Sequence, residues 1–338
     1  EGLQDGKVAV VTLVHHAYVD GVGAAWGLQQ LYRPEPGWQP EQVPEWQPRP
    51  WPSWGKRLWW GMRDLPAVLA KNLPRVVTGV RTKIKLEKRF EAEGRNVPSA
   101  TKMQKTPINE ILSPGRTFVC KDMPLDDFKR VSKGLGVTIN DVFLACCASA
   151  IRRFFADTGY DPNQHPLISA TPFAGKRPDD MLGLGNFATM DYCWLPTYID
   201  DPLKRLRAAS AAASDMKEHL RACVEAGADI NSLMQVCPPW LMSALRWYHE
   251  KKKGAFSLFA NVVLSNVPGP REPIYLNRYK LDSWFSTGQI FNGTCLNMTR
   301  WSYCGRANLC ILVDEKVLDD GWKLYDYFVD ELQTLVGL

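Results

Sequence analysis

Histidine is scarce in this chain: 338 residues contain five, at positions 15, 16, 165, 219 and 249. There is no His-Glu-x-x-His pair and no clustered Cys/His set, which removes the usual ligand patterns for zinc. No P-loop and no Gly-x-Gly-x-x-Gly stretch is present, so a phosphate group would rest on scattered lysines and arginines. No apolar run approaches the roughly 20 residues of a membrane-spanning helix. The longest, "VFLACCASAI" (142–151), has the length of a core helix. The nine cysteines are odd in number and lack a Cys-x-x-Cys pair. That argues against a disulfide framework and for small buried hydrophobes in a reducing cytosol. No fixed-period repeat occurs, which sets solenoids aside.

What is present is ordinary in bulk and uneven in detail. Hydrophobic content of 45% and charged content of 23% exclude disordered and collagen-like chains. The net charge is +5, yet residues 56–90 hold ten Lys/Arg against two Asp/Glu, a local +8 that leaves the remainder at −3. Residues 34–54 hold seven prolines and four tryptophans, which neither a central strand nor a long helix tolerates. This stretch reads as an extended surface connector.

Elsewhere strand and helix patterns interleave, which predicts an α/β fold. "KVAVVTLV" (7–14) is β-branched and continuous, the pattern of a strand buried on both faces. Residues 21–32 have helical spacing with Asp20 as N-cap. Residues 56–90 are helical and basic, with bends expected near Pro66 and Pro74. A strand over 116–124 leads into an amphipathic helix over 125–136, closing on glycine. A long buried helix follows over 138–159, capped by Thr138 or Asn140. Strands are expected in "HPLISATPF", "FATMDYCWLP", "ANVVLSNVPGP", "CLNMTRWSYCG" and "ANLCILVDEKV", with helices over 201–222, 238–254 and 322–337.

The chemistry-bearing stretch is "HHAYVDG" (15–21), at the end of the first expected strand. If residues 8–16 are extended, His15 and His16 point to opposite faces, which disfavours a shared metal. Imidazole titrates near neutrality, so a neutral histidine here can take a proton from a bound hydroxyl. Asp20 fits the turn better than proton transfer, and Gly21 leaves the backbone free. Two satisfied core histidines are the bland alternative.

"HHAYVDG" resembles the HHxxxDG signature of chloramphenicol-acetyltransferase-like, CoA-dependent acyltransferases, a signature that peptide-synthetase condensation domains share. "TPINEILSPGRTF" (106–118), "GVTINDVFLACCASAIRRF" (136–154), "LGNFATMDYCWLPT" (184–197), "LSNVPGP" (264–270) and "LNMTRWSYCG" (296–305) resemble, in order, the bacterial wax ester synthase/diacylglycerol acyltransferase family. "TPFAGKRP" (171–178) matches that family only loosely, so Lys176 and Arg177 receive no role.

The resemblance implies a two-lobed chloramphenicol-acetyltransferase-like α/β architecture, mixed sheets with packed helices meeting along a tunnel. Residues 1–33 would be the remainder of the N-terminal lobe, 34–110 the connector and 111–338 the C-terminal lobe. Most of the first lobe would then lie in a preceding segment, an expected partner. The resemblance further implies that His16 acts as general base, that His15 orients the strand and that Asp20 holds the loop. The implied partners are acyl-CoA and a long-chain alcohol or diacylglycerol, with no cofactor and no metal. Gly21, Asn140, Asp141, Ser265 and Asn266 are candidate substrate-binding positions. Asn140 and Asp141 also read as helix cap and first-turn acid, and "SNVPGP" as a rigid strand exit. Two other readings stay open: a related enzyme acylating a sugar or polyketide hydroxyl, and a non-catalytic lipid-binding protein.

The basic, tryptophan-rich segment 38–90 reads as a solvated face, a nucleic-acid patch or a lipid surface. No nucleic-acid motif accompanies it, and Trp with Lys/Arg is what interfacial helices carry. The expectation is a cytoplasmic enzyme held peripherally on a membrane or lipid droplet, without nucleic acid.

Overall fold

The computed structural model describes residues 3–16, 18–39, 45, 47–48, 50–95, 98, 102–173, 185–186, 188–225, 236–237, 239–251 and 260–338. Residues 40–44, 46 and 49 of the Pro/Trp-rich connector and 174–178 of "TPFAGKRP" lie outside them.

Two helices precede the sheet: α1 (Gly21–Leu31) and α2 (Trp54–Ala92). α2 runs through Pro66 and Pro74 as one 39-residue helix, about 58 Å long at 1.5 Å per residue. β1 (Arg116–Pro124) is followed by α3 (Leu125–Leu135), α4 (Ile139–Asp157), β2 (Leu167–Phe173), β3 (Thr189–Leu195), α5 (Pro202–Glu225) and α6 (Pro239–Lys251). β4 (Val262–Val267), the short pair β5 (Tyr275–Leu276) and β6 (Tyr279–Lys280), β7 (Leu296–Tyr303), β8 (Arg306–Asp314) and α7 (Trp322–Val336) complete the chain.

The large sheet has the order β1-β8-β7-β4-β2-β3. β2, β4 and β7 run parallel, and β1, β8 and β3 join antiparallel. All six strands lie within residues 111–338. The β7–β8 hairpin turns on Cys304 (φ 46°) and Gly305 (φ 78°), the two positive φ values a two-residue turn of this hand requires. α3 ends on Gly136 at φ 65°, a left-handed C-cap.

The main core lies between the sheet and α3, α4, α5 and α7. α4 is buried continuously from Asp141 to Ile151, as its apolar run predicts. Inside it, Ser149 donates to Glu331 of α7 at 2.9 Å, and Arg205 of α5 pairs with the same carboxylate at 2.6 Å. This buried ion pair joins the three helices where they meet, and Arg205 Nε is left without a hydrogen-bond partner among the described residues. No single helix among the described residues is long and apolar enough to cross a membrane.

One expectation fails. Residues 7–14 form no strand, and Val11 and Leu13 are 91% and 97% exposed. A β-branched run becomes a strand only when neighbouring strands take its N–H and C=O groups. The six strands of the sheet pair with one another and leave 7–14 outside.

Candidate active site

The HHAYVDG stretch forms a turn that ends at the N-terminus of α1. The Tyr18 N–H donates to the His15 carbonyl at 2.9 Å. Asp20 is buried, and its Oδ1 accepts from the Gly23 N–H at 2.9 Å, so it is the N-cap its position predicts. The turn is tied to the chain ahead of β3. Val19 bridges Gly185, the Gly185 N–H donates to the Tyr18 carbonyl at 2.7 Å, and the Asp20 N–H donates to the Gly185 carbonyl at 3.3 Å.

His15 and His16 are exposed and outside any strand, which removes the strand-face basis for giving them separate roles. Gly21 is the first residue of α1, and a Cβ there would meet no atom within 4 Å. No left-handed backbone calls for glycine at this position, contrary to the conformational role expected for it.

Asn186, one residue beyond the bridge, places its Nδ2 3.0 Å from His16 Nδ1, while its Oδ1 accepts from the Ala188 N–H at 3.3 Å. Two pairings satisfy this contact. With the amide nitrogen toward the ring, Nδ1 accepts and the neutral ring carries its proton on Nε2. With the amide turned, Oδ1 accepts from Nδ1–H and Nε2 keeps its lone pair, and the Ala188 N–H gives up its bond to Oδ1. A base acting through Nε2 requires the second. Asn186 received no role from the sequence, although it stands in "LGNFATMDYCWLPT".

A second polar cluster forms where α4 meets the ends of β4 and β7. Thr138 caps α4, with Asp141 closing the capping box, so Asn140 does not act as the cap. The Asn140 Oδ1 instead accepts from Asn266 Nδ2 at 3.2 Å, and the Asn266 Oδ1 accepts from Arg300 Nε at 3.0 Å. Arg300 is 5% exposed, with its guanidinium 5.2 Å from the Phe128 ring. Burial pushes Arg300 down to about 10, and its Nη1 has no hydrogen-bond partner among the described residues.

Asp141 is committed to Thr138 and to the Ser210 hydroxyl, at 2.9 Å each. Ser265 neighbours Asn266 on β4 and faces the other side of the sheet. Of the candidate substrate-side residues, the structure joins Asn140 to Asn266. No hydrogen bond between described residues links that cluster to His16. The signal for Arg300 was an arginine inside the apolar strand "LNMTRWSY".

Comparison with known proteins matches residues 1–143 to the wax ester synthase/diacylglycerol acyltransferase catalytic domain and residues 184–336 to the C-terminal domain of the same family. A Mycobacterium tuberculosis H37Rv protein named as a diacylglycerol O-acyltransferase is 43% identical, over 97% of this chain and 69% of its own length. The O-acyltransferase WSD of Acinetobacter baylyi is 29% identical, over 100% of this chain and 72% of its own. Among solved structures, the wax ester synthase/diacylglycerol acyltransferase of Marinobacter aquaeolei VT8 superposes with a TM-score of 0.59 at 22% identity. That superposition covers 96% of this chain and 68% of the other. A starter condensation domain of rhizomide synthetase reaches a TM-score of 0.50 at 13% identity, covering 95% and 63%. The mixed sheet with its packed helices is therefore of the chloramphenicol-acetyltransferase-like kind. The chain belongs to the wax ester synthase/diacylglycerol acyltransferase family, and is an acyltransferase.

Proposed function

We propose that the protein transfers a long acyl chain from acyl-CoA to the hydroxyl of a long-chain alcohol or a diacylglycerol, with His16 as general base. The observation that carries this reading is the His16 imidazole itself: exposed, tied at Nδ1 by Asn186, and set on a turn anchored by the buried Asp20. With Nδ1–H donating to Asn186, Nε2 takes the alcohol proton as the oxygen attacks the thioester carbonyl. The tetrahedral intermediate collapses, the C–S bond breaks, and the imidazolium returns its proton to the CoA thiolate. No acyl-enzyme and no metal enter this sequence. General-base help of this kind contributes roughly 10²–10⁴ in rate.

α2 supports a peripheral membrane location. Trp54, Leu58, Met62, Leu65, Leu69, Leu73, Val77, Val80 and Ile84 are all exposed, and their spacing of three and four draws one apolar stripe along the helix. Lysines and arginines share the helix, with Lys56 over Trp60 and Arg63 over Trp59. An apolar stripe with basic flanks suits an anionic lipid surface, where the acceptor lipids reside.

The deciding experiment supplies acyl-CoA with a mixture of hexadecanol and diacylglycerol, separates products by thin-layer chromatography and follows thiol release. Wax ester or triacylglycerol is expected, with His16→Ala reducing the rate about 10²–10⁴-fold at unchanged melting temperature. Thiol release with neither product, or full activity in His16→Ala, overturns the reading.

A further inference from the structure

A second histidine, on α5, stands in a chain of contacts of its own. Asp191 of β3 places Oδ2 2.7 Å from His219 Nδ1, and Cys223 places Sγ 3.8 Å from His219 Nε2. Four residues separate His219 from Cys223 on one helix, so thiol and ring share a face. Asp191 and His219 are buried, whereas Cys223 is half-buried and reachable, unlike the fully buried Cys146 and Cys147 of α4. Carboxylate, imidazole and thiol in this order are the parts of an activated cysteine nucleophile: an acid that orients a ring, and a ring that takes the thiol proton. Phe90, Tyr192, Trp194 and Met216 line a cleft beside the His219 ring, with Arg95 and Asp215 among its walls.

We propose that Cys223 is a nucleophilic thiolate that accepts an acyl group from an acyl thioester, giving an S-acyl cysteine on α5. The inference rests on the proposed function for its donor class, a long-chain acyl-CoA. His219 Nε2 takes the Cys223 proton, and the thiolate attacks the thioester carbonyl. The C–S bond to CoA then breaks, and the leaving thiolate recovers the proton from the imidazolium. One thioester replaces another, with no oxidant or reductant. The basicity of the ring suits this step. Burial alone would depress the imidazole, yet its bonds to Asp191 and Cys223 push it up to about 10.

The test incubates the whole chain with palmitoyl-CoA and reads intact and peptide masses before and after neutral hydroxylamine. One acyl chain on Cys223, removed by hydroxylamine, is expected. Cys223→Ser should abolish the adduct, Asp191→Asn should slow it at least tenfold, and His16→Ala should leave it in place. Because Asp191→Asn strains a buried pair, iodoacetamide alkylation of the wild-type thiol across pH provides a readout free of that variant. A rate already at its plateau at neutral pH is expected. Absence of the adduct while hexadecanol is still acylated overturns this inference alone. An adduct without any transfer to alcohol or diacylglycerol overturns the proposed function alone. Alkylation that rises only above the ordinary thiol range, or an adduct lost in His16→Ala, overturns the activated thiol.

Discussion

His16 and Asn186 are 170 positions apart in the chain, and the amide of one lies 3.0 Å from Nδ1 of the other. Replacing Asn186 tests what that amide does. In Asn186→Asp a carboxylate accepts from Nδ1–H and favours the imidazolium. The acidic limb of the pH–rate profile should move up by about one unit or more, with kcat affected more than KM. Asn186→Ala should lower kcat without that displacement. Profiles that superimpose on wild type would remove Asn186 from the site.

Arg300 tests the second cluster. Among the described residues its one polar partner is Asn266, and its Nη1 is already unpaired. Asn266→Ala should destabilise the fold by about 2 kcal/mol, the size of a hydrogen bond to a charged group. Asn140→Ala, which removes one neutral bond, should cost about 1 kcal/mol. Urea midpoints measure both, and equal losses would contradict the ordering.

His219 sets a pH dependence of stability whose sign follows from its environment. Its folded value is raised from 6.5 to about 10. The stabilisation is therefore complete below about pH 6.5 and is lost as pH rises through about 10. Melting temperatures between pH 6 and 10 should fall more steeply for wild type than for His219→Gln. Parallel curves would show that the ring is neutral in the fold.

The basic helix separates membrane attachment from internal strapping. Ion pairs to the rest of the fold come from the end of α2 and the residues just after it: Arg95 reaches Asp215 and Glu218 at 2.8 Å each, and Arg89 reaches Glu218 at 3.3 Å. Arg81, Lys83, Lys85 and Lys88 form no ion pair with described residues, so replacing all four with glutamine should leave the melting temperature in place. Attachment to anionic vesicles should weaken by about 1 kcal/mol per charge at low salt and lose much of its salt dependence. Lost thermal stability with unchanged vesicle sedimentation would instead make α2 a strap.

Some of this protein is written locally, and those parts were legible. Asp20 as a cap, Gly136 as a left-handed helix end and residues 142–151 as a core helix each depend on neighbours within a few positions. The resemblance carried by HHAYVDG and the segments after it was legible for the same reason, since motifs are short. Thr138 and Asn140 mark the boundary of such reading. Either suits a cap, and only the packed helix end decides that Thr138 caps while Asn140 turns to Asn266.

What the sequence could not decide depends on partners far along the chain. "KVAVVTLV" has the composition of a buried strand, but pairing is not a property of one segment, and its residues stand exposed. The Asn186 contact to His16, the Asp191–His219 contact and the Asn266–Arg300 bond join positions that no spacing rule connects. Buried polar groups must find partners wherever the fold brings them. Composition announces such groups, and tertiary packing chooses the partner.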